Sequence, residues 1–195
     1  MSLDKDIKII VVGSPGVGKT CYVNKWTKNI FSNKYKPTIT SDFSCKIYED
    51  GEKLYRIQLW DLAGQDSGLI TKIFAKDAHG CVKWKEKLKD TETFLDGGEI
   101  PCILVENKID LLEDINEGEE SLIEFSKNAK FCGCFRTSAK TGKNISESME
   151  FLIKTILRRI KDMEEKNIPN EHERITITLT PENSIRKGKK RQKCC

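Results

Sequence analysis

The fold of this chain is decided by the stretch Gly13-Ser14-Pro15-Gly16-Val17-Gly18-Lys19-Thr20. It follows the apolar run from Ile7 to Val12, which is typical of a buried strand, and it leads into a helical pattern from Val17 to about Asn29. The glycines permit backbone angles and close approaches that a Cβ would forbid. The spacing Gly-x4-Gly-Lys-Thr predicts a loop in which backbone N–H groups and a helix N-terminus converge on phosphate groups.

Two side chains of this P-loop motif carry chemistry. We expect Lys19 to reach the outer phosphates of a nucleotide and the Thr20 hydroxyl to bind Mg²⁺. Pro15 has no N–H, so the cradle has one donor fewer at that position. A glycine-rich turn between a strand and a helix needs no ligand, but the complete match in this context favours phosphate binding.

Composition indicates the class of protein. A length of 195 residues suits one α/β domain followed by a tail. The hydrophobic fraction of 37% and the charged fraction of 33% are typical of a soluble protein. The N-terminus has no signal-peptide core, so we expect a cytosolic chain whose eight cysteines are reduced thiols. Metal binding by Cys132-Gly-Cys134 stays open as the lesser alternative to burial in a strand.

The charge of the chain is concentrated at its C-terminus. The net charge of +4 becomes −2 without six basic residues that have no acid among them, namely Arg186, Lys187, Lys189, Lys190, Arg191 and Lys193. The terminal pair Cys194-Cys195 next to them predicts prenylation and attraction to an anionic membrane surface, with no nucleic acid as partner. We expect a folded domain over residues 1–166 and a disordered tail over residues 167–195, in which the alternating run Ile175 to Thr180 leaves an extended contact with a partner open.

The first half of the domain contains a loop and a hairpin. Pro37 and its polar neighbours predict a loop from Phe31 to Ile39, and the alternation in Asp42 to Glu49 and Lys53 to Asp61 predicts two strands. The second strand leads into Trp60-Asp61-Leu62-Ala63-Gly64-Gln65. This stretch places a carboxylate at a strand end and a flexible glycine beside it, where a Mg²⁺-linked acid and a sensor of the γ-phosphate are needed.

The second half of the domain contains a base-recognition pattern. The short strand Pro101 to Glu106 ends in Asn107-Lys108-Ile109-Asp110. The carboxylate can accept hydrogen bonds from the ring N–H and the exocyclic amine of guanine, and adenine offers no such pair of donors. The strand Gly133 to Thr137 leads into Ser138-Ala139-Lys140, whose backbone could contact the base carbonyl, and apolar residues from Ile145 to Met163 predict a helix packed on the sheet.

Five motifs in this order, over about 165 residues, resemble those of the Ras superfamily of small GTPases. The pairs Thr38-Ile39 and Asp42-Phe43 and the terminal cysteines resemble the Rab branch, and the run Arg56 to Gln65 with Lys83-Trp84-Lys85 resembles its subgroup linked to lysosome-related organelles. The resemblance implies an α/β P-loop NTPase fold with a mostly parallel sheet flanked by helices. It also implies GTP, GDP and Mg²⁺ as ligands and a slow GTP-hydrolysing switch in vesicle traffic.

The resemblance carries roles to matching residues. Gln65 would orient the attacking water, Thr20 and Thr38 would bind Mg²⁺ directly, and Asp61 would act through water. Phe43, Trp60 and Phe74 would form an effector patch, with ordinary sheet packing as the open alternative. The implied nucleotide-binding positions are Gly13, Ser14, Pro15, Gly16, Val17, Gly18, Lys19, Thr20, Cys21, Phe31, Tyr35, Thr38, Gly64, Asn107, Lys108, Asp110, Ser138, Ala139 and Lys140.

The resemblance also implies partners and a location. An exchange factor, a GTPase-activating protein, effectors, a prenylation escort and a GDP-dissociation inhibitor would act on the chain. Geranylgeranyl groups on Cys194 and Cys195 would hold it at the cytoplasmic face of an intracellular membrane, from which it would cycle to the cytosol. The motifs include no arginine finger in cis, so intrinsic hydrolysis should be slow.

One stretch departs from the pattern. Only Cys81-Val82 separates Ala78-His79-Gly80 from Lys83-Trp84, where Rab proteins have a hydrophobic strand, a loop and the start of a helix. The chain is therefore expected to lack roughly 15 residues, enough for one strand and its connection, and to have lost the central fourth strand of the sheet. This loss leaves open a truncated product that acts as a non-hydrolysing or nucleotide-free adaptor; a P-loop kinase is disfavoured by Asp110.

Overall fold

The computed structural model describes residues 3–34, 36–64, 69–84, 100–114 and 118–165. Along these ranges strands alternate with helices. The strands are β1 (Lys5–Val12), β2 (Ser41–Asp50), β3 (Lys53–Leu62), β4 (Gly80–Trp84), β5 (Cys102–Glu106) and β6 (Gly133–Arg136). The helices are α1 (Lys19–Lys28), α2 (Leu69–Ala75), α3 (Glu119–Asn128) and α4 (Ile145–Glu165), and a 3₁₀ turn covers Ile109–Leu111.

The strands form one sheet in the order β2-β3-β1-β4-β5-β6. β2 runs antiparallel to β3, and the other neighbouring pairs are parallel. The expected α/β fold with a mostly parallel sheet is therefore confirmed. Because parallel strands end at the same edge of a sheet, the segments that follow β1, β3, β5 and β6 meet there.

The prediction that the central fourth strand is deleted is wrong. β4 lies between β1 and β5, with Ile10 paired to Cys81 and Cys81 paired to Cys102. Lys83 and Trp84 are the last two residues of this strand. Five residues are enough here because β4 pairs with only four residues of β1 and because β5 is itself five residues long.

The sequence does not identify this strand, because the composition of the strand is not aliphatic. Gly80 leaves room for α4 to pack closely on the strand, because a Cβ at this position would lie only 2.5 Å from Cδ1 of Ile156. On the other end of β4, the ring of Trp84 meets the ring of Tyr22 edge to face at 5.4 Å. The Tyr22 hydroxyl in turn shares a hydrogen bond of 2.6 Å with Ser148 of α4. These contacts hold α1 and α4 on one face of β4.

A side chain extends the pairing of β4 with β1. The backbone N–H of His79 donates to the carbonyl of Lys8 at 2.8 Å, and the N–H of Lys8 donates to Nδ1 of His79 at 3.1 Å. The imidazole therefore replaces a backbone carbonyl one residue before the strand begins. This contact gives the short strand an additional attachment to β1.

Three further features complete the fold. The apolar stripe of α4 is buried as predicted, with members at Ile145, Met149, Leu152, Ile153 and Ile156. No helix within the described ranges has the length and apolar character that a membrane crossing requires. The six cysteines within those ranges are free thiols.

The placement of Gly80 beneath α4 can be tested by stability measurements. Gly80→Ala should lower the free energy of unfolding by about 1–3 kcal/mol, because the added methyl group overlaps Cδ1 of Ile156. Ile156→Val removes that atom and should cost about 0.5–1.5 kcal/mol alone. Urea denaturation of both single variants and the double variant, with GDP and Mg²⁺ present, should show a double cost below the sum of the single costs. Additive costs would contradict the placement of β4.

Candidate nucleotide-binding site

A cavity of about 1300 Å³ opens at the carboxyl edge of the sheet. Ligands of open α/β sheets bind at this edge. The predicted nucleotide-binding residues that line the cavity are Pro15, Gly16, Gly18, Lys19, Thr20, Cys21, Phe31, Thr38, Gly64, Asn107, Lys108, Asp110, Ala139 and Lys140. The structure therefore brings together residues from five segments of the chain.

The P-loop is folded around the ammonium group of Lys19. Nζ of Lys19 donates to the carbonyl of Gly13 at 2.5 Å and to that of Ser14 at 2.9 Å, and the side chain is buried. Gly18 has a φ of +100°, a left-handed conformation that favours glycine, directly before the first residue of α1. The loop thus holds a cation and a helix N-terminus at the mouth of the cavity, an arrangement suited to phosphate.

Three oxygen-bearing side chains meet beside Lys19. The hydroxyl of Thr20 donates to Oδ2 of Asp61 and lies 3.0 Å from the hydroxyl of Thr38, which is 3.5 Å from the same carboxylate oxygen. Asp61 is buried, and its Oδ1 has no hydrogen-bond partner in the described part of the chain. Burial raises the pKa of Asp61, and the hydrogen bond from Thr20 and the charge of Lys19 oppose that change.

This cluster fits Mg²⁺. Mg²⁺ prefers oxygen ligands and needs one or two carboxylates, and it is usually held together with phosphate groups. The buried carboxylate oxygen without a partner is a group that a cation would satisfy. Thr20, Thr38 and Asp61 are therefore the residues that could hold the ion, and they come from three distant parts of the sequence.

The base-recognition motif is tied to the P-loop by side chains. Nδ2 of Asn107 donates to the carbonyl of Val17 at 3.1 Å, and Nζ of Lys108 donates to that of Gly16 at 2.6 Å. A Cβ on Gly18 would lie 2.4 Å from Nδ2 of Asn107, so this approach requires glycine. The phosphate end and the base end of the cavity are thereby fixed relative to each other.

The loop after β6 completes the base end. Oδ1 of Asn107 accepts from the N–H of Ala139 at 3.0 Å and from the hydroxyl of Thr137 at 3.3 Å. Oδ1 of Asp110 accepts from the hydroxyl of Ser138 at 2.6 Å. Sequence reasoning assigned Ser138 and Ala139 to the base and did not include Thr137. The structure adds that all three hold the recognition side chains, a role for which the sequence spacing carries no signal.

Gly64 lies against the P-loop. A Cβ at this position would be 2.3 Å from the backbone nitrogen of Pro15 and 2.6 Å from the carbonyl carbon of Ser14. A side chain would thus overlap backbone atoms, so only glycine fits here. The predicted residues Gln65 and Tyr35, and the tail with Cys194 and Cys195, lie outside the described residues.

The three aromatic residues assigned to an effector patch form a continuous row. The ring centres of Phe43 and Trp60 are 5.1 Å apart, and those of Trp60 and Phe74 are 5.3 Å apart. The ammonium of Lys8 lies 5.6 Å from the centre of the Trp60 ring. Phe43 is 48% exposed, so the row is accessible to another protein at this end.

Residues 8–158 match the Ras family. The human Ras-related protein Rab-32 is 33% identical over 205 aligned positions, which cover 96% of this chain and 88% of that protein. The human Ras-related protein Rab-7L1 is 34% identical over 174 positions, with 80% and 85% covered, and Ras-related protein Rab-32A of Dictyostelium discoideum is 36% identical over 170 positions, with 77% and 78% covered.

The family match and the relatives show that the chain is a Rab-type small GTPase of the Ras family, a GTP-binding and GTP-hydrolysing switch that uses Mg²⁺ and regulates membrane traffic.

Proposed function

We propose that the residues around the cavity run the GTP cycle in the roles that the motifs assign to them. The observation that carries the proposal is the meeting of Thr20, Thr38 and Asp61 beside the ammonium of Lys19. Thr38 belongs to a loop and Asp61 to the end of β3, so their contact with the P-loop makes the loop conformation depend on what the P-loop binds. Such dependence is what a switch requires.

Binding is divided between the two ends of the cavity. Lys19 and the P-loop amides hold the β- and γ-phosphates, and Asp110 accepts two hydrogen bonds from guanine. Phe31 packs against the base, since it lines the cavity and is half-buried. Mg²⁺, when bound by Thr20, Thr38 and Asp61, supplies charge neutralisation for the phosphates.

Hydrolysis depends on the position of the attacking water and on the charges that surround the γ-phosphate. Gln65 orients a water molecule for attack on the γ-phosphate, and Gly64 contributes its backbone beside Pro15. None of the described residues that line the cavity is an arginine. The intrinsic reaction is therefore slow, and an activating protein that inserts an arginine accelerates it by roughly 10³–10⁵-fold.

Regulators and effectors of the general GTPase kind act on this chain as on other Rab proteins. We assign the effector surface to Phe43, Trp60 and Phe74, because this row joins β2 and β3 to α2. Rab proteins sit on intracellular membranes. In more detail, we propose that geranylgeranyl groups on Cys194 and Cys195 hold the chain at the cytoplasmic face of such a membrane. An escort protein and a GDP-dissociation inhibitor act on it.

The alternative of a non-hydrolysing adaptor loses its basis, because it rested on a missing central strand.

The first prediction from the proposed function concerns the base. GDP should displace a fluorescent guanine nucleotide at least about 10²-fold better than ADP, because a site built around substrate N–H groups rejects an analogue that lacks them. Asp110→Ala should abolish that preference. Ser138→Ala removes only the hydroxyl that orients Asp110 and should cause a smaller loss. Equal displacement by ADP and GDP in the unchanged protein would refute the role of Asp110.

The second prediction concerns hydrolysis. Gln65→Leu should slow single-turnover GTP hydrolysis by at least about tenfold and leave GTP affinity nearly unchanged, because only the positioning of water is lost. Thr20→Asn should instead weaken Mg²⁺-dependent nucleotide binding. A Gln65→Leu variant that hydrolyses GTP at the original rate would remove Gln65 from the mechanism.

The third prediction concerns the membrane anchor. Replacing Cys194 and Cys195 by Ser should move the protein from the membrane fraction to the soluble fraction of cells. Six basic residues contribute only about 1 kcal/mol each at an anionic surface, and this attraction is reversible without lipid insertion. Fractionation of the double variant measures the effect. Continued sedimentation with membranes would assign the anchor to the basic run or to a protein receptor.

A further inference from the structure

The charges around the cavity are strongly unbalanced. Five lysines line it, namely Lys19, Lys34, Lys36, Lys108 and Lys140, against two acids, Asp42 and Asp110. The ammonium groups of Lys19 and Lys108 donate to P-loop carbonyls, and Lys140 lies 3.9 Å from Asp110. Among the described residues, the side chains of Lys34 and Lys36 have neither a hydrogen bond nor an ion pair. The loop after α1 therefore presents to the cavity two cations that pair with no described residue.

The backbone places Lys36 close to the phosphate end. Thr38 follows it by two residues, and the hydroxyl of Thr38 lies 3.0 Å from that of Thr20 in the P-loop. Two residues of extended chain span at most about 7 Å. Because the residue before a proline is restricted to extended conformations, Pro37 keeps Lys36 from turning back into a helical bend.

We propose that Lys34 and Lys36, in the loop between α1 and β2, form a second cationic group for the phosphates of the nucleotide. Lys36, which is only two residues from Thr38 along the chain, distinguishes the triphosphate from the diphosphate. The inference rests on the proposed binding of GTP in this cavity. It adds two phosphate-binding residues to the P-loop set.

The physical consequence is a dependence on salt. Both lysines are exposed, so their attraction for phosphate acts across water and is screened by ions. Clefts that carry an excess of one charge raise the association rate of an oppositely charged ligand at low ionic strength. A triphosphate carries more charge than a diphosphate, so the effect should be larger for GTP than for GDP.

The test compares two double variants of equal net charge. Lys34→Gln/Lys36→Gln removes the proposed contact, and Lys53→Gln/Lys127→Gln removes two exposed lysines outside the cavity. Stopped-flow fluorescence measures association and dissociation of labelled GTP and GDP, with Mg²⁺, at ionic strengths of about 0.01 M and 1 M, where the screening lengths are about 30 Å and 3 Å.

At low salt the cavity variant should bind labelled GTP roughly 3- to 10-fold more slowly than the unchanged protein, with a smaller change for GDP. The difference should vanish at high salt. The association rate of the control variant should stay within about twofold of that of the unchanged protein. Lys36→Arg with Lys34 retained should behave like the unchanged protein. Equal slowing in both double variants, an effect that persists at high salt, or no effect would each overturn the inference. In each of these outcomes the protein still binds guanine nucleotide, so only the inference about Lys34 and Lys36 fails. If the unchanged protein binds no guanine nucleotide, the proposed function is refuted as well.

Discussion

The backbone pairing of β4 with both β1 and β5 is the constraint on which the rest of the structure depends. β1 delivers the P-loop and β5 delivers the base-recognition motif, and β4 sets the distance between them. Neighbouring strands lie about 4.8 Å apart, so a sheet without β4 would bring these segments together by one strand spacing. A cavity that must accept both phosphates and a base requires the intervening strand.

Once the strands are in place, side chains join the two ends of the cavity into one unit. Asn107 and Lys108 donate to carbonyls of the P-loop, and Asn107 accepts from the loop after β6. Each such bond contributes only about 0.5–1.5 kcal/mol net to stability. Their larger effect is geometric, because the phosphate cradle and the base pocket cannot shift independently.

Two unlike residues pack the ends of the short fourth strand. Trp84 fills the space between β4 and α1, where its ring meets that of Tyr22. Gly80 allows the buried Ile156 to pack directly on the backbone of β4.

The P-loop, the hairpin, the base-recognition motif and the buried stripe of the last helix can all be predicted from the sequence, because each depends on local spacing and periodicity. It did not determine β4, since Gly80, Lys83 and Trp84 look unlike a buried strand until β1, β5 and α4 surround them. Nor did it reveal that Thr137 and Ser138 hold Asn107 and Asp110. These features depend on the folded chain, because hydrogen bonds between residues about 30 positions apart exist only after the parallel strands have aligned their carboxyl ends.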